Sequence, residues 1–431
     1  MARLLIRNGR LLDPSQDLDG ALDCLVEDGR IARIDVDISA DGAEILDAEG
    51  AWIAPGLIDI HTHLREPGQE YKEDLASGGM AAVAGGFTQL ACMANTDPVN
   101  DDPSVTKYIL DRAEKDSPVK IRPIAAATRG LAGQVMTEMM ALREAGAVAF
   151  SDDGATIMDT AVMRRVLEYS TLADAPVIVH AEDCHLRAGG VVNEGPVSTR
   201  LGLPGNPAAA EEIMIARDLR LAAMTGAHLH IAHVSSAGSV DLIRRAREDG
   251  TRVTAEVTPH HLSLTDEATM TFDTSTRVAP PLRSAADISA LRAALAEGVI
   301  DVMATDHAPH ATYEKEVEFT EAPPGMLGLE TAVAVTLDLV RDGTLSPLEF
   351  VRCWSTNPAE LIAVEGGSLR VGSAADIVLI DPTREWTYDA AQGFSKSRNS
   401  PWSGSKMTGR AVATIVDGRL VYHSERGVLI R

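Results

Sequence analysis

The sequence predicts an α/β fold in which a (β/α)8 TIM-type barrel carries a small β-sandwich domain built from both ends of the chain. Three observations predict it: eight apolar segments that end in polar residues, helix-like segments between most of them, and short strand-like segments near both termini. Alternating strands and helices are typical of a parallel barrel, which places its chemistry at the carboxyl ends of the strands. We therefore expect the functional residues to follow the eight strands.

The barrel strands and the helices between them occupy the middle of the chain. The candidate strands are Leu57–His63, Phe87–Asn95, Ile121–Thr128, Ala147–Asp153, Val177–Glu182, Leu229–Ser235, Val253–Pro259 and Val302–Asp306. The candidate helices are Asp102–Lys115, Met158–Leu172, Pro207–Thr225, Ser239–Glu248 and Ser284–Glu297. This alternation assigns residues 55–366 to the barrel.

The two ends of the chain predict the smaller domain. Their candidate strands are Leu4–Ile6, Leu22–Val26, Ile31–Ile34 and Glu44–Asp47 at one end, and Ala375–Ile380, Ala411–Val416 and Arg419–His423 at the other. Neither end is long enough to bury a core by itself. We therefore predict one composite β domain formed by residues 1–54 and 367–431.

Composition and charge restrict the functions that the protein can have. Of its 431 residues, 45% are hydrophobic, which is ordinary for a folded globular chain. The 63 acidic and 39 basic residues give a net charge of −24, and such a surface repels nucleic acid and anionic membranes. It also repels an anionic substrate at long range, so a site for one needs local cations.

The cysteines and the first residues favour a cytoplasmic location. Cys24, Cys92, Cys184 and Cys353 are widely spaced and form no CxxC pair, so we expect reduced and mostly buried thiols. The chain opens on a strand-like segment without the pattern of a signal peptide, and no apolar run is long enough to cross a bilayer. We expect neither a nucleic-acid nor a membrane partner.

The most informative segment is Asp59-Ile-His-Thr-His-Leu-Arg65, at the end of the first candidate strand. Because alternate side chains of a strand point the same way, His61 and His63 project together. Two imidazoles on one face suit a divalent metal ion, although a chance pair in a buried strand explains this pattern equally well when it stands alone.

Four further candidate ligands follow other strands: Asp153, His180, His233 and Asp306. A lone histidine at a strand end is more often a hydrogen-bonded residue than a ligand, but six candidates at one end of a barrel favour a metal centre. One ion would be held by His61, His63 and Asp306. Another would be held by His180 and His233, with Asp153 as the bridge.

Imidazole and carboxylate ligands without a thiolate favour Zn²⁺, one or two per subunit, with Mn²⁺ and Co²⁺ as alternatives. In such a centre a metal-activated hydroxide would be the nucleophile. Asp306 would accept its proton and then deliver a proton to the leaving nitrogen, so its expected role is general base and then general acid.

Several motifs resemble those of the dihydroorotases, which form part of the amidohydrolase superfamily. The most specific are Asp59–Arg65 and Ala304-Thr-Asp-His-Ala-Pro-His310, and others are Met93–Thr96, Ser151–Gly154, Glu256–His261, Pro280–Arg283, Gly372–Ile377 and Ser397–Pro401. The resemblance implies reversible cyclisation of N-carbamoyl-L-aspartate to L-dihydroorotate and water, a step of de novo pyrimidine (UMP) biosynthesis. It also implies a homodimer, with aspartate transcarbamoylase as a candidate partner.

The resemblance further implies which residues bind the substrate. Arg65 would hold the ring carboxylate in a bidentate pair, and Asn95 and His310 would contact it as well. His63 is implied as a substrate contact in addition to its place among the metal ligands. Pro324 and Gly325 would offer backbone contacts to the ring.

The loop that precedes Pro324 contains the charge run Glu314-Lys-Glu-Val-Glu318. Such a run is most simply a solvated loop face. We therefore predict that its side chains lie in solvent.

Two departures distinguish this chain from related sequences. Hydantoinases and allantoinases bridge two metals with a carboxylated lysine on strand 4, but this chain has no lysine between Lys120, at the start of a candidate strand, and Lys315. Asp153 is the candidate bridge, as in class I dihydroorotases, with Asp152 as the neighbouring alternative.

The second departure is Ala279, which stands where many relatives have asparagine. The missing hydrogen bond would weaken substrate binding by on the order of 1 kcal/mol.

Two other functions remain as alternatives. A hydantoinase-like or allantoinase-like cyclic amidohydrolase would share the fold and most ligands. A non-catalytic dihydroorotase-like partner of aspartate transcarbamoylase would share the fold alone, and such chains usually lack several ligands.

Overall fold

The centre of the molecule is an eight-stranded parallel barrel, seen in a computed structural model that describes residues 3–429. Its strands pair in chain order: β1 (Leu57–Thr62), β2 (Phe87–Cys92), β3 (Lys120–Ala125), β4 (Ala149–Ser151), β5 (Val177–Val179), β6 (Leu229–Ile231), β7 (Val253–Val257) and β8 (Val302–Met303). A parallel bridge between Thr62 and His307 joins the end of β1 to the segment after β8 and closes the barrel. The predicted fold class is confirmed.

The barrel strands end one to four residues earlier than the sequence predicts. At β6 and β8 the backbone explains this, because His233 and Asp306 have φ values of 32° and 49°, in the left-handed region where a pleated strand cannot continue. Most of the candidate ligands therefore lie in the loops directly after the strands, and only His61 lies within one.

The inside of the barrel is filled by apolar side chains of modest size. Ile60, Met93, Ile124, Ile178 and Ala304 belong to one buried cluster between the strands. Close packing of this kind resists deformation, so the loops that carry polar residues start from a rigid base.

In the described part of the chain seven longer helices surround the barrel: α1 (Leu75–Gly85), α2 (Pro103–Asp116), α3 (Met139–Ala145), α4 (Thr160–Ala173), α5 (Ala209–Thr225), α6 (Ala237–Glu248) and α7 (Ala285–Ala296). The five predicted helices are present, with boundaries within two residues of the prediction. Asp102 and Ser284, predicted as helical, instead cap α2 and α7 with their side-chain oxygens. Helix α1 is buried on almost every side, so it lacks the polar stripe that marks a surface helix.

The remaining α-helical segments among residues 3–429 are short and lie between the longer elements. They are Cys184–Arg187, Pro196–Leu201, Pro259–Ser263, Thr312–Lys315, Ala332–Thr336, Asp338–Arg341, Pro347–Val351 and Asn357–Leu361. No helix within residues 3–429 combines the length and the apolar character that crossing a bilayer requires.

Two further sheets form the β domain. Strands Arg3–Arg7, Asp23–Glu27, Arg30–Asp35 and Glu44–Asp47 form a four-stranded sheet. Strands Arg10–Asp13, Leu18–Gly20, Trp52–Pro55, Ile377–Thr387, Lys406–Val416, Arg419–His423 and Gly427–Val428 form a seven-stranded sheet.

The seven-stranded sheet joins the two ends of the chain, because Ile377–Thr387 pairs antiparallel with Trp52–Pro55. Ile6, Ile53, Leu369 and Ile415 pack together in a core shared by both ends. A β-sandwich built from both termini is therefore confirmed. Its exact division from the barrel, at residues 54/55 and 366/367, stays a prediction.

Candidate active site

The structure brings six predicted ligand side chains together at the carboxyl ends of the barrel strands: His61, His63, Asp153, His180, His233 and Asp306. Two overlapping groups within this set have ligand atoms close enough to share one ion. The first is His61, Asp153 and His233, and the second is His61, His63 and Asp306.

Asp306 and Asp153 face the pair of histidines at the end of β1. Asp306 Oδ1 lies 3.1 Å from His63 Nε2 and 3.5 Å from His61 Nε2. Asp153 Oδ1 lies 3.4 Å from His61 Nε2, and its Oδ2 lies 3.5 Å from His63 Nε2. Both carboxylates therefore stand within reach of a single cation held between the imidazoles.

His180 and His233 form the other half of the cluster, with His180 Nδ1 and His233 Nε2 2.8 Å apart. Asp153 Oδ1 lies 3.8 Å from the first of these atoms and 3.7 Å from the second. Asp153 is thus placed between the two halves, as a bridging carboxylate must be.

Asp152, the alternative bridge, is engaged elsewhere. Its Oδ1 accepts a hydrogen bond of 2.8 Å from the Thr128 N–H, and its Oδ2 accepts another from the Thr128 hydroxyl. Because neighbouring side chains point to opposite sides, Asp153 faces the histidines while Asp152 faces the loop after β3. Lys120 is also engaged far from the cluster, in ion pairs with Asp376 and Asp417.

The cluster fits a divalent metal ion. His61 Nε2 and Asp153 Oδ1 are buried and have no hydrogen-bond partner among residues 3–429. Buried polar atoms without partners are costly, and a cation between them would satisfy both. Nitrogen and carboxylate oxygen are also the donor atoms that such ions prefer.

Charges within the cluster favour the ionised form of its carboxylates. Burial would lower the pKa of His61, but the Glu256 and Asp153 carboxylates raise it well above its ordinary value. Burial would raise the pKa of Asp306, but His61 and His63 hold it below its ordinary value. Asp306 is therefore anionic, as a metal ligand and a proton acceptor must be.

Glu256, for which the sequence suggests no role, contacts His61 at its Nδ1 atom. Its Oε1 lies 2.5 Å from His61 Nδ1, its Oε2 lies 3.1 Å from His230 Nε2, and it accepts a 3.1 Å hydrogen bond from the His233 N–H. A carboxylate at Nδ1 holds a proton there, so a metal ion can take the place of the second proton of the ring, at Nε2. The sequence signal for this role is that Glu256 is the one charged residue of strand β7.

Glu182 supports the other half of the cluster. Its Oε2 lies 3.8 Å from His180 Nε2 and accepts a 2.9 Å hydrogen bond from Arg187 Nη1. Burial would raise the pKa of Glu182, but His180 and Arg187 lower it to about 2. The sequence placed Glu182 at the end of a strand and gave it no role.

A pocket of about 240 Å³ opens above the cluster and contains the predicted substrate-binding residues. Asn95 Oδ1 lies 3.0 Å from His63 Nδ1, so the imidazole N–H donates to it, and no residue described by the structure accepts from the amide NH₂. Gly325 also lines the pocket, and a Cβ there would lie 2.7 Å from Ala308 Cβ. Only a residue without a side chain fits at this position.

Arg65 and His310 form one wall of the pocket. Arg65 Nε donates a 3.2 Å hydrogen bond to the Pro309 carbonyl, and burial lowers its pKa to about 10, so the guanidinium stays charged at neutral pH. His310 Nε2 lies 2.9 Å from the Pro324 carbonyl, and burial and the nearby Arg65 lower its pKa to about 2. A buried cation therefore lies at the pocket of a strongly acidic protein.

The prediction that residues 314–318 form a solvated face is wrong for Lys315. Its side chain is buried, and Nζ donates to the carbonyls of Thr274 at 2.9 Å and Pro323 at 2.7 Å. Burial lowers its pKa to about 7. Lys315 thereby fastens the segment that precedes Pro324, while the following Glu316 is exposed.

The cysteines match the expectation for the most part. Cys24, Cys92 and Cys353 are buried and Cys184 is exposed, and all four are free thiols. Burial raises the pKa of each buried thiol to about 12, so these three are not reactive at neutral pH.

The barrel, its composite β domain and the histidine–aspartate cluster at the strand ends define an amidohydrolase. A family model described as the amidohydrolase family matches residues 52–421. The chain is 50% identical to the dihydroorotase of Syntrophus aciditrophicus over 98% of this chain and 100% of that protein. It is 49% identical to the dihydroorotase of Syntrophotalea carbinolica over 97% and 99%.

Within the amidohydrolase family, the chain belongs to the dihydroorotases, and the resemblance inferred from its motifs is confirmed. Among solved structures, an L-hydantoinase (dihydropyrimidinase) from Arthrobacter aurescens superposes with a TM-score of 0.90 at 27% identity, covering 100% of this chain and 98% of that one. The fold is therefore shared with hydantoinases, while the sequence is closer to the dihydroorotases.

Proposed function

We propose that this protein is a dihydroorotase that interconverts N-carbamoyl-L-aspartate and L-dihydroorotate in pyrimidine biosynthesis. One observation carries the proposal: a buried, charged Arg65 lines the same pocket as the metal-ligand cluster. A cation at that place suits a substrate that keeps a carboxylate throughout the reaction. Identity of about half the residues with curated dihydroorotases over nearly the whole chain supports it.

The substrate carboxylate would bind at the wall formed by Arg65, Asn95 and His310. The guanidinium supplies a planar pair of donors, which matches a carboxylate. The free NH₂ group of Asn95 adds a third donor beside it. Pro324 and Gly325 would contact the ring through their backbone, because the missing side chain at Gly325 lets a planar ligand approach closely.

Zn²⁺ is the metal that we propose, one or two ions per subunit. His61, His63, Asp153 and Asp306 would hold one position, and Asp153, His180 and His233 the other. A bound ion would lower the pKa of water and polarise the carbonyl that reacts. The protein's part is to fix the tautomers of His61 and His63 through Glu256 and Asn95, which leaves both Nε2 atoms available.

Asp306 would move the proton. In ring opening it would accept a proton from the attacking water and deliver one to the departing ring nitrogen, and in ring closure the transfers would run in reverse. Its lowered pKa keeps Asp306 ionised at neutral pH, which is the form that can accept a proton. Its Oδ1 faces His63 and His61, so the carboxylate stands at the cluster where water would be activated.

A hydantoinase-like activity is the second candidate, because an L-hydantoinase shares the fold at a TM-score of 0.90. Arg65 argues against it, since hydantoin has no carboxylate that would neutralise a buried guanidinium. Asp153 between the two halves of the cluster also stands where related hydantoinases are expected to have a carboxylated lysine.

The proposal extends to location and assembly. We expect the protein to be a homodimer located in the cytoplasm, with aspartate transcarbamoylase as a candidate partner. A silent scaffold for that enzyme would not need an assembled ligand cluster, so the six converging side chains favour a catalyst over a scaffold. Sedimentation of the protein alone, and of a mixture with the transcarbamoylase, would test the homodimer and the complex.

The decisive experiment measures both directions of the reaction with metal-replete protein. We expect dihydroorotate hydrolysis at alkaline pH, carbamoyl aspartate cyclisation at acidic pH, and loss of both after chelation with recovery on adding Zn²⁺. Hydantoin and allantoin serve as comparison substrates. No turnover of dihydroorotate or carbamoyl aspartate, or faster turnover of hydantoin or allantoin, would overturn the proposal.

A further inference from the structure

Arg187 lines a wall of the substrate pocket but has no role in the function proposed above. It lines the pocket above the metal ligands together with Ala279 and Pro324, and the same three residues line a smaller cavity beside it. The arginine is the last residue of the short helix Cys184–Arg187, which follows β5. Its side chain is 39% exposed, so a ligand in the pocket has access to it.

Most of the N–H donors on the Arg187 guanidinium have no acceptor within residues 3–429. Within residues 3–429 its one side-chain hydrogen bond runs from Nη1 to Glu182 Oε2, at 2.9 Å. The N–H groups on Nε and Nη2 are thus left for other acceptors. Glu182 holds the guanidinium through Nη1, and the arginine lines both cavities.

The same wall lacks the donor that the dihydroorotase resemblance leads one to expect. Ala279 presents a methyl group to both cavities, where many relatives would present an asparagine amide. A substrate oxygen bound there without a donor would lose its hydrogen bonds to water on binding. A donor from a neighbouring residue on the same wall would compensate for that loss.

The chemistry of the substrate shows which oxygen needs that donor. Dihydroorotate carries three polar groups on alternate ring atoms: the carboxylate, the reacting carbonyl and the ureido carbonyl. The carboxylate belongs at Arg65 and the reacting carbonyl at the metal ligands. The ureido carbonyl is left for the third wall, where Arg187 and Ala279 lie.

We propose that Arg187 donates a hydrogen bond to the ureido carbonyl of the substrate and so replaces the amide that Ala279 lacks. This inference rests on the proposed dihydroorotase function. It makes Arg187 a substrate-binding residue particular to a chain with alanine at position 279. It also adds a second guanidinium at an anionic ligand, which an acidic protein needs.

The test compares Arg187→Ala, Ala279→Asn and the double variant with the unaltered protein. We expect Arg187→Ala to raise KM for dihydroorotate by on the order of 10-fold, with kcat within about threefold and full metal content, because one charge-assisted hydrogen bond is lost. Arg200→Ala removes the same charge from an exposed position outside the pocket and should leave KM unchanged.

The double variant shows whether Arg187 and position 279 serve the same substrate oxygen. If both residues serve one oxygen, Ala279→Asn should recover most of the lost affinity in the Arg187→Ala background and gain little when Arg187 is present. Independent, additive effects of the two changes would overturn the proposal, as would an unchanged KM in Arg187→Ala.

A fall in bound metal that parallels the KM change would also overturn the proposal, because Arg187 would then act only through Glu182 and His180. Absence of dihydroorotase activity in the unaltered protein would refute the proposed function instead. The two failures are therefore distinguishable.

Discussion

Glu256 Oε1 lies 2.5 Å from His61 Nδ1, and both side chains are fully buried. The other oxygen of the same carboxylate contacts His230, so the glutamate cannot rotate away without losing a second partner. Its charge also favours the orientation of His61 in which Nε2 faces Asp153 and Asp306. Glu256, which is not one of the six candidate ligands, thus controls the orientation of His61, a member of both overlapping three-residue groups.

Glu256→Gln should weaken metal binding without unfolding the protein. The amide can still accept the proton of His61 Nδ1, but it lacks the negative charge that makes the imidazole a better ligand. Removal of such supporting partners typically lowers metal affinity by about 10- to 100-fold. Competition with a chromophoric chelator would measure the change. Glu248→Gln, at an exposed helix end, is the matched control, and equal affinities of the two variants would contradict the role of Glu256.

Asp306→Ala should remove turnover and retain most of the metal. Asp306 is expected to transfer the proton, whereas His61, His63 and Asp153 remain to hold the ion. We expect kcat to fall by several orders of magnitude in both directions, with metal content near that of the unaltered protein. Steady-state kinetics and elemental analysis would measure the two quantities. Near-normal turnover would exclude Asp306 as the proton carrier.

Asp153→Ala should show the opposite pattern, because Asp153 lies between the two halves of the cluster. We expect metal content to fall together with activity. Asp152→Asn is the control, since that carboxylate bonds to Thr128 instead and its change should spare the metal. Unchanged metal stoichiometry in Asp153→Ala would place the bridge elsewhere.

The parts of the site that the sequence predicts are those determined by residue type and strand direction. His61 and His63 are two residues apart at a strand end, and Asp306 lies in a motif that follows another strand, so barrel topology alone brings them together. Side-chain alternation also means that only one of Asp152 and Asp153 can face the histidines, and the family resemblance favours Asp153. These inferences need no knowledge of distances between strands.

The parts that the sequence does not predict depend on pairings across the fold. Glu256 meets His61 from 195 residues away, and nothing in the spacing of either residue encodes that contact. The left-handed backbone at His233 and Asp306 shortens the strands, and non-glycine residues give little warning of it. Lys315 was misplaced for a related reason, because the carbonyls that bury it come from Thr274 and Pro323.

Arg65→Ala should raise KM for dihydroorotate on the order of 100-fold, because two charge-assisted hydrogen bonds to the carboxylate are lost. Dihydrouracil, which lacks that carboxylate, gives a sharper measurement. The ratio of kcat/KM between the two compounds should collapse in the variant, while Arg65→Lys, which keeps the charge but not the planar fork, should retain part of it. An unchanged ratio would show that Arg65 does not bind the carboxylate.

Glu330 gives a prediction about stability and pH. Burial raises its pKa to about 7, although the N–H of Phe394 donates to it at 3.0 Å. The folded state therefore binds this proton more tightly than the unfolded chain, whose glutamate pKa is near 4.5. As the pH rises from about 4.5 to about 7, the free energy of unfolding should fall, because the unfolded chain releases this proton and the folded protein still holds it. Above about pH 7 the loss of stability is complete.

Glu330→Gln should remove the penalty, because the amide oxygen can accept the same backbone N–H and carries no charge. We expect the variant to exceed the unaltered protein in unfolding free energy by up to about 3 kcal/mol near pH 8, with a much smaller difference near pH 5. Urea unfolding of both proteins at each pH measures this, since contributions common to both cancel in the difference. Glu321→Gln changes an exposed glutamate and should show no such pH dependence. A difference that stays constant with pH, or a variant that is less stable near pH 8, would mean that Glu330 ionises in the folded protein at its ordinary pKa.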